Sequence, residues 1–333
     1  MDNPGQKLYF SPNCGLLFPS RFGLLNPLRT VFLNSYERIR IARPDGELSA
    51  LVSKNEKTRS IVILHGMRDH AHSMIGLAES LQPDYRIILP DLRGHGESST
   101  GGGYAMVQFV ADLRAVIVDC KIENPIIVGH SLGGHIASRY AASYPDEVEA
   151  LVLLDGMGPP SMVDIATPSE VREHWLWSLK EVVNQFDWLK PMSDEAEALK
   201  RLTRNNPRLD VEMAKRLITQ GVRPHPDGGI RWKWDPTVNM VWQTFSHEES
   251  EMLMQFISCP TLIVTGDDGL AYWTNGRFDR EISADWYESE LKRRQQLFVN
   301  ARSEVINDAG HMLHYDQPAE LSRVLVRFVK SLP

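Results

Sequence analysis

Short apolar runs alternate with amphipathic segments along the chain from about residue 37 to residue 155. The apolar runs lack the strict every-second-residue alternation of a half-exposed strand, as expected for strands that are covered on both faces. Strands of this kind alternating with helices predict a mostly parallel, doubly wound sheet. The predicted fold class is therefore α/β.

The first predicted element is a hairpin, because 38–42 and 47–53 are β-rich runs separated by the turn sequence RPDG. Strands and helices then alternate. The predicted strands lie within SIVILHG (60–66), YRIILPD (85–91), PIIVGHS (125–131) and EALVLLDG (149–156), and the predicted helices lie around 72–82, 104–120 and 132–144.

The pattern changes after residue 158, where helix-like segments replace strand-like ones. The clearest of these segments lie at 173–189, 193–204 and 211–219. Strand-like runs return at CPTLIVTGDDG (259–269) and RSEVIND (302–308), and an amphipathic helix is predicted at 317–331. The stretch 270–299 is predicted to be helical in its second half.

This change of pattern predicts a core made of two separated parts. The core comprises residues 1–158 and 256–333, and residues 159–255 are inserted between them. We interpret the insertion as a helical lid that lies over the carboxyl edge of the sheet.

Composition and charge narrow the class of protein. The 333 residues are 42% hydrophobic and 24% charged, which is typical of a globular protein. A formal net charge of −7 gives no electrostatic attraction toward nucleic acid. We expect a neutral or mildly polar small molecule as the ligand and no nucleic-acid partner, and the sequence leaves a homodimer open.

The N-terminal sequence MDNPGQKLYFSPNCG lacks the basic and apolar regions of a secretion signal. No run of about 18 apolar residues occurs, so no stable membrane insertion is expected. These features favour a cytoplasmic protein.

Three cysteines, Cys14, Cys120 and Cys259, are too few and too scattered for a disulfide framework. The His, Cys, Asp and Glu residues form no group with metal-ligand spacing. Neither a metal nor another cofactor is expected.

The sequence IIVGHSLGGHIA (126–137) joins a strand-like run to a helix-like run through Gly129-His130-Ser131-Leu132-Gly133. A serine at such a sharp turn stands clear of the backbone, and the turn crowds the residues two before and two after it. Both of these residues are glycine here. Ser131 is therefore a candidate nucleophile. An ordinary glycine-rich turn is the alternative, whereas a nucleotide-binding turn is disfavoured because both common phosphate-binding patterns are absent.

The chain resembles an α/β-hydrolase fold protein with a lid over roughly 37–158 and 256–333. Five motifs in the expected order carry the resemblance: LHGMRDH (64–70), DLRGHGES (91–98), GHSLGG (129–134), LLDGMGP (153–159) and DAGHMLHYDQPAEL (308–321). The resemblance implies that Ser131 is the nucleophile. A serine, rather than an aspartate, at this position favours acyl transfer.

The resemblance also implies a general base on the loop after the last strand, where His311 lies. His314 is expected to pack or to face solvent, and His65, His95 and His130 are expected to have structural roles. The oxyanion hole needs two backbone N–H groups. Leu132, at the start of a helix, and Met67, after the third strand, are the expected donors.

The sequence does not decide which residue is the acid that completes a catalytic triad with Ser131 and His311. In most of the family it follows the seventh strand, but Gly269 occupies that position, with Asp267 and Asp268 nearby but out of step. A minority of compact esterases carry the acid after the sixth strand, where Asp155 lies. We favour Asp155, which is placed to orient an imidazole, over Asp268, Asp267 or no acid. The competing interpretation of Asp155 is a turn or helix cap.

The favoured function is a cofactor-free serine hydrolase that cleaves a small carboxylic ester, thioester or lactone through an acyl-enzyme on Ser131. The same fold hosts other functions. Alternatives within the enzyme class are C–C bond hydrolysis, perhydrolysis and acyl transfer. A slowly hydrolysing ligand-binding receptor and a degenerate scaffold remain as non-enzymatic alternatives.

Overall fold

A sheet of eight strands forms the centre of the protein. The computed structural model describes residues 35–158, 167–183, 190–274 and 283–333. The strands in these ranges are β1 (Tyr36–Arg43), β2 (Gly46–Ser53), β3 (Ser60–Leu64), β4 (Arg86–Asp91), β5 (Ile126–His130), β6 (Ala150–Leu154), β7 (Val222–Pro224), β8 (Ile230–Trp232), β9 (Thr261–Gly266) and β10 (Ala301–Ile306). The central sheet has the spatial order β1-β2-β4-β3-β5-β6-β9-β10, and β7 and β8 pair with each other in a separate hairpin.

The sheet is parallel from β4 to β10, and the antiparallel β1–β2 hairpin extends one edge. The register aligns Leu64 of β3 with Gly129 of β5, and Leu154 of β6 with Val264 of β9. The carboxyl ends of these strands therefore lie side by side. In open parallel sheets this edge is where ligands bind.

The helices flank the sheet, and those of the core lie close to their predicted positions. They are α1 (Ile75–Glu79), α2 (Met106–Asp119), α3 (Leu132–Ser143), α4 (Pro168–Val183), α5 (Glu195–Asn205), α6 (Val211–Gly221), α7 (His247–Met254), α8 (Gly269–Thr274), α9 (Ala284–Gln295), α10 (Leu313–Asp316) and α11 (Pro318–Lys330). None of the helices in the described ranges is long and apolar enough to span a bilayer.

Apolar side chains pack on both faces of the sheet. On one face Ile127 and Leu153 pack with Phe109 of α2. On the other face Val128 and Val152 pack with residues of α11. Burial of each such side chain stabilises the fold by about 1.5–3 kcal/mol. This two-sided burial explains why the strand sequences show no alternation, and it confirms the predicted doubly wound sheet.

Helices α4 to α7 and the small β7–β8 hairpin lie in the segment interpreted as a lid. Tyr36–Pro333 forms one compact unit. The first lid boundary falls in 159–166, and the end of the helix-like segment 173–189 falls in 184–189, so both lie outside the described residues. The three-part division of the chain stays a prediction.

Candidate active site

Ser131 sits at the turn between β5 and α3 in a strained backbone conformation, with φ 50° and ψ −117°. Its N–H donates to the carbonyl oxygen of Leu154 at 3.1 Å, which ties the turn to the neighbouring strand β6. A non-glycine residue with positive φ persists only where the surroundings enforce it, and such residues cluster at functional sites. The turn therefore has the geometry that presents a nucleophile.

The glycines around Ser131 are required by close backbone contacts. A Cβ added to Gly129 would lie 2.4 Å from the carbonyl oxygen of Gly133, and one added to Gly133 would lie 2.6 Å from that of Leu64. No real Cβ approaches backbone so closely, so neither position accepts a side chain. The predicted crowding of the turn is confirmed.

His311 lies on the loop between β10 and α10 and bonds to Asp155, the first residue after β6. The Nδ1–H of His311 donates to Oδ2 of Asp155 at 2.6 Å, and both side chains are about 4% exposed. Asp155 has φ 41°, and its N–H donates to Val264 of β9 at 2.8 Å. The carboxylate is thus held beside the imidazole by a backbone that is itself fixed between two strands.

His130 links the His311 loop to the Ser131 turn. Its Nε2–H donates to the carbonyl oxygen of His311 at 2.9 Å, and the two rings lie 4.8 Å apart. Burial, together with His314 and His311, lowers the pKa of His130 well below its usual value, so the ring is neutral. The residue before Ser131 therefore holds the backbone of His311, and the structural role expected for His130 is observed.

The other two aspartates considered as the acid have different partners. Asp268 is 53% exposed and accepts a hydrogen bond from Arg208 at 3.0 Å. Asp267 accepts the N–H groups of Asp308 and Ala309, each at 3.1 Å, and so fastens the loop that follows β10. The structure brings Asp155, and neither Asp267 nor Asp268, to His311.

The amides of Met67 and Leu132 lie on the two loops that flank Ser131. Within the described parts of the chain, neither amide N–H has an intramolecular acceptor. Leu132 begins α3, whose first amides have no partner within the helix. Gly66, just before Met67, is so close that an added Cβ would lie 3.3 Å from Cβ of Ser131. Both amides therefore lie on segments next to Ser131, and their role as oxyanion donors stays a prediction.

Two buried histidines hold the loop that carries Met67. His65 donates from Nδ1 to Gly66 at 2.7 Å and accepts the N–H of Leu92 at 3.0 Å. His95 accepts the N–H of Arg68 at Nε2, also at 3.0 Å. Burial and the neighbouring His65 lower the pKa of His95 to about 3, so its ring is neutral and can accept this bond. The structural roles expected for His65 and His95 are observed.

Arg68 and Asp69 point to different surroundings rather than to each other. Arg68 donates to Asn239 at 3.2 Å. Asp69 is buried, and it accepts hydrogen bonds from Ser73 at 2.8 Å and from Tyr315 at 3.2 Å. Asp69 is thus a buried hydrogen-bond acceptor that holds Ser73 and Tyr315.

His314 is buried, packs on His130 at 4.6 Å, and approaches Asp69 with Nε2 at 3.5 Å. Burial raises the pKa of Asp69, but contact with His314 and the nearby His70 outweighs it, and the pKa lies well below its ordinary value. Of the two placements considered for His314, packing is the one observed.

Three residues at this edge were not identified from the sequence: Tyr272, Trp273 and Arg294. Tyr272 stacks on His311, and Trp273 donates to Asp155. Arg294 of α9 is 1% exposed and donates to the carbonyl oxygens of Met157 and Gly158, which follow Asp155. No spacing or motif in the sequence links α8 and α9 to the end of β6.

The protein combines a parallel sheet, a strained serine at a strand-to-helix turn, and an imidazole–carboxylate pair from adjacent loops. These three features define the α/β-hydrolase class of protein. The family model described as alpha/beta hydrolase fold matches residues 59–318, and the chain belongs to this family.

Relatives of the chain carry hydrolase names. A protein of Drosophila melanogaster named as a probable serine hydrolase is 35% identical over 311 residues, which are 91% of either chain. A serine hydrolase-like protein of Danio rerio is 26% identical over 328 residues, 94% of either chain. The thioesterase domain from the curacin biosynthetic pathway has a TM-score of 0.70 at 23% identity, with 88% of this chain and 100% of that domain covered. The relatives support a hydrolase, and the solved structure shows the fold.

Proposed function

We propose that this protein is a serine hydrolase that cleaves a small carboxylic ester, thioester or lactone through an acyl-enzyme on Ser131. The observation that carries the proposal is the buried 2.6 Å bond between His311 and Asp155, on the loop that His130 ties to the Ser131 turn. A nucleophilic serine together with a histidine that is oriented by an aspartate forms the machinery of acyl transfer on several unrelated folds.

In the first half-reaction, Oγ of Ser131 attacks the substrate carbonyl carbon and Nε2 of His311 takes its proton. The negative charge that develops on the carbonyl oxygen is stabilised by the N–H groups of Met67 and Leu132. The tetrahedral intermediate then breaks its bond to the leaving group, which receives the proton from His311. An ester releases an alcohol, and a thioester releases a thiol.

In the second half-reaction, His311 removes a proton from water as the water oxygen attacks the acyl-enzyme. The new tetrahedral intermediate expels Ser131, which regains its proton from His311, and the carboxylic acid leaves. Asp155 stabilises the imidazolium in both halves. Its 4% exposure strengthens this interaction, because a charge pair away from water is weakly screened.

We also propose that the segment 159–255 acts as the lid of this site. A cavity of about 40 Å³ lies between the loop of Arg68, Asp69 and His70 and residues of the insertion, among them Leu217 and Trp232. The N–H of Asp235 donates to Gly94 at 2.7 Å, which ties the insertion to the loop after β4. These contacts support a segment that borders the oxyanion loop.

Hydrolysis of p-nitrophenyl acetate and butyrate by wild-type protein and by Ser131→Ala tests the function. Ser143→Ala, on the same helix, is the matched control, since the Ser143 hydroxyl donates to the backbone at Arg139. We expect Ser131→Ala to lose activity about 10³-fold or more and Ser143→Ala to keep it. Equal rates for wild type and Ser131→Ala would overturn the proposal and favour C–C bond hydrolysis or a receptor-like binding protein.

A further inference from the structure

We infer that Tyr272 and Trp273, consecutive residues of α8, are positioning residues for the His311–Asp155 pair. Trp273 holds the carboxylate through its indole N–H, and Tyr272 holds the imidazole through ring stacking. This inference rests on the proposed serine hydrolase mechanism, and it adds two residues that act through His311 and Asp155 rather than on the substrate.

Trp273 bonds to the same carboxylate oxygen that accepts from the histidine. Its Nε1–H donates to Oδ2 of Asp155 at 3.1 Å, and the indole is 6% exposed. Two donors, His311 and Trp273, therefore converge on one oxygen. A carboxylate with a fixed second donor cannot rotate to present its other oxygen to the imidazole without breaking that bond, so Trp273 fixes the orientation of Asp155.

Tyr272 lies flat against the imidazole. The ring centroids of Tyr272 and His311 are 3.7 Å apart and the planes differ by 7°, whereas the Trp273 ring meets His311 edge-on at 4.9 Å and 77°. The two aromatic rings thus contact the histidine from different directions. A tyrosine face also attracts a cation, so the stack favours the imidazolium that forms when Ser131 loses its proton.

The position of α8 explains why these two residues can reach the pair. The helix begins at Gly269, which Asp267 and Asp268 separate from the end of β9. An added Cβ at Gly269 would lie 4.0 Å from Oδ2 of Asp155 and 3.6 Å from the Tyr287 hydroxyl. The end of β9 therefore faces the carboxylate that β6 supplies. It contributes a hydrogen-bond donor and a stacking ring at the place where most of the family carries the acid.

The titratable and charged groups around the pair come from five elements. Asp155 follows β6, His130 ends β5, and His135 belongs to α3. Tyr287 and Arg294 belong to α9, and Tyr272 belongs to α8. Burial lowers the pKa of His135 well below its ordinary value, so this ring is neutral. Burial together with Asp155 raises the pKa of Tyr287 well above its ordinary value, so the phenol keeps its proton. The charge in hydrogen-bond contact with His311 is therefore that of Asp155, and Arg294 adds a buried positive charge on α9.

Trp273→Phe tests the donor, because it removes the indole N–H and keeps an aromatic ring. We expect kcat to fall about tenfold or more, the scale of a lost hydrogen bond to a charged group, with KM changed less than twofold. Without the second donor the carboxylate charge acts more strongly on the imidazolium, so the acid limb of the kcat/KM pH profile shifts to higher pH. Trp286→Phe, in the half-buried position on α9, is the matched control.

Tyr272→Leu tests the stack, and the conservative Tyr272→Phe should restore most of the loss. We expect Tyr272→Leu to lower kcat about two- to fivefold, because it removes a cation–π contact at an exposed site. The acid limb should move to lower pH, since the imidazolium loses a stabilising neighbour. A role limited to packing would change stability or the active fraction and would leave the pH profile in place.

Active-site titration with a fluorophosphonate gives the active fraction of each variant, so partial misfolding is not mistaken for a lower kcat. The downfield proton resonance of His311 Nδ1–H offers a second measurement, and it should shift in Trp273→Phe. The inference would be overturned if Trp273→Phe and Tyr272→Leu both kept the wild-type kcat and the wild-type acid limb of the pH profile while Ser131→Ala was inactive. Retained activity in Ser131→Ala would instead refute the proposed function itself.

Discussion

The ends of β6 and β9 lie side by side, and each strand is followed by aspartate, yet the two ends are used differently. Asp155, after β6, is 4% exposed and bonds to His311. After β9, Asp267 accepts backbone N–H groups, and Asp268 is 53% exposed and paired with Arg208. An aspartate at the carboxyl edge can therefore serve as an acid only where the backbone turns its side chain toward the buried imidazole.

The difference has a visible backbone cause. Asp155 has φ 41°, a left-handed conformation that lets the chain reverse direction directly after the strand. The loop beyond it is then clamped by Arg294 through the carbonyl oxygens of Met157 and Gly158. The end of β9 instead continues within three residues into α8, which carries Tyr272 and Trp273 back over the same pair.

The variants Asp155→Asn and Asp268→Asn should differ strongly in activity. We expect Asp155→Asn to lower kcat by about 10³- to 10⁴-fold, because an amide presents the wrong hydrogen-bonding groups to His311. Asp268→Asn should stay within about twofold of wild type, since an exposed ion pair contributes little. Hydrolysis of p-nitrophenyl butyrate measures both, and a crippled Asp268→Asn would assign the acid to β9.

An acid moved from the end of β6 to the end of β9 should restore part of the activity. Gly269 has no positive φ, and its added Cβ points toward the carboxylate of Asp155. We expect Asp155→Ala combined with Gly269→Asp to recover about tenfold in kcat/KM over Asp155→Ala alone, the equivalent of about 1.4 kcal/mol. The control is Asp155→Ala with Gly269→Asn, which cannot supply a charge. Equal rates for the two double variants would show that the end of β9 does not reach His311.

Asp267 should contribute to stability rather than to activity. Burial raises the pKa of Asp267, but the N–H donors of Asp308 and Ala309 outweigh it, and the pKa lies below its ordinary value. Its stabilisation is therefore present above about pH 4 and is lost as the pH falls through the lowered pKa. Because the carboxylate is exposed and screened by water, we expect Asp267→Ala to reduce the free energy of unfolding at pH 7 by no more than about 1 kcal/mol, with kcat unchanged.

Urea unfolding of wild type and Asp267→Ala at pH 7 and pH 3 measures this difference. The gap between the two proteins should narrow at pH 3. A gap that is constant with pH would mean that the Asp267 carboxylate charge does not fasten the loop before His311.

The smallest effect concerns Arg208, the partner of Asp268. Because the guanidinium is 43% exposed, we expect Arg208→Ala to change the free energy of unfolding by no more than about 0.5 kcal/mol and to leave kcat within twofold. Thermal unfolding and steady-state kinetics measure both quantities. A tenfold loss of kcat would contradict this expectation and point to Asp316, the second partner of Arg208 at 3.6 Å, which accepts the N–H of Gly310 beside His311.

The strand and helix plan of the core was predictable because two-sided burial leaves a local mark in the sequence. The Ser131 turn was predictable for a related reason, since its crowding demands glycine at two fixed positions. The division into core and lid stays a prediction, because its first boundary lies outside the described residues.

Asp155 could be favoured from the sequence as the first residue after an apolar strand, but its contact with His311 depends on two loops far apart in the chain. Tyr272 and Trp273 could not be identified, because nothing local to GLAYWT shows which way α8 runs after β9. The same holds for Arg294, whose partners lie more than 130 residues earlier in the chain. Such contacts are set by tertiary packing rather than by residue pattern.

A double-mutant cycle tests the claim that Asp155 acts through His311. The kcat/KM of p-nitrophenyl butyrate hydrolysis is measured for wild type, Asp155→Asn, His311→Ala and the combined variant, each corrected for its active fraction. Residues that act as one unit have strongly non-additive effects, so the combined variant should be as active as His311→Ala alone. A combined variant whose loss equals the product of the two single losses would contradict the claim and show that Asp155 works independently of His311.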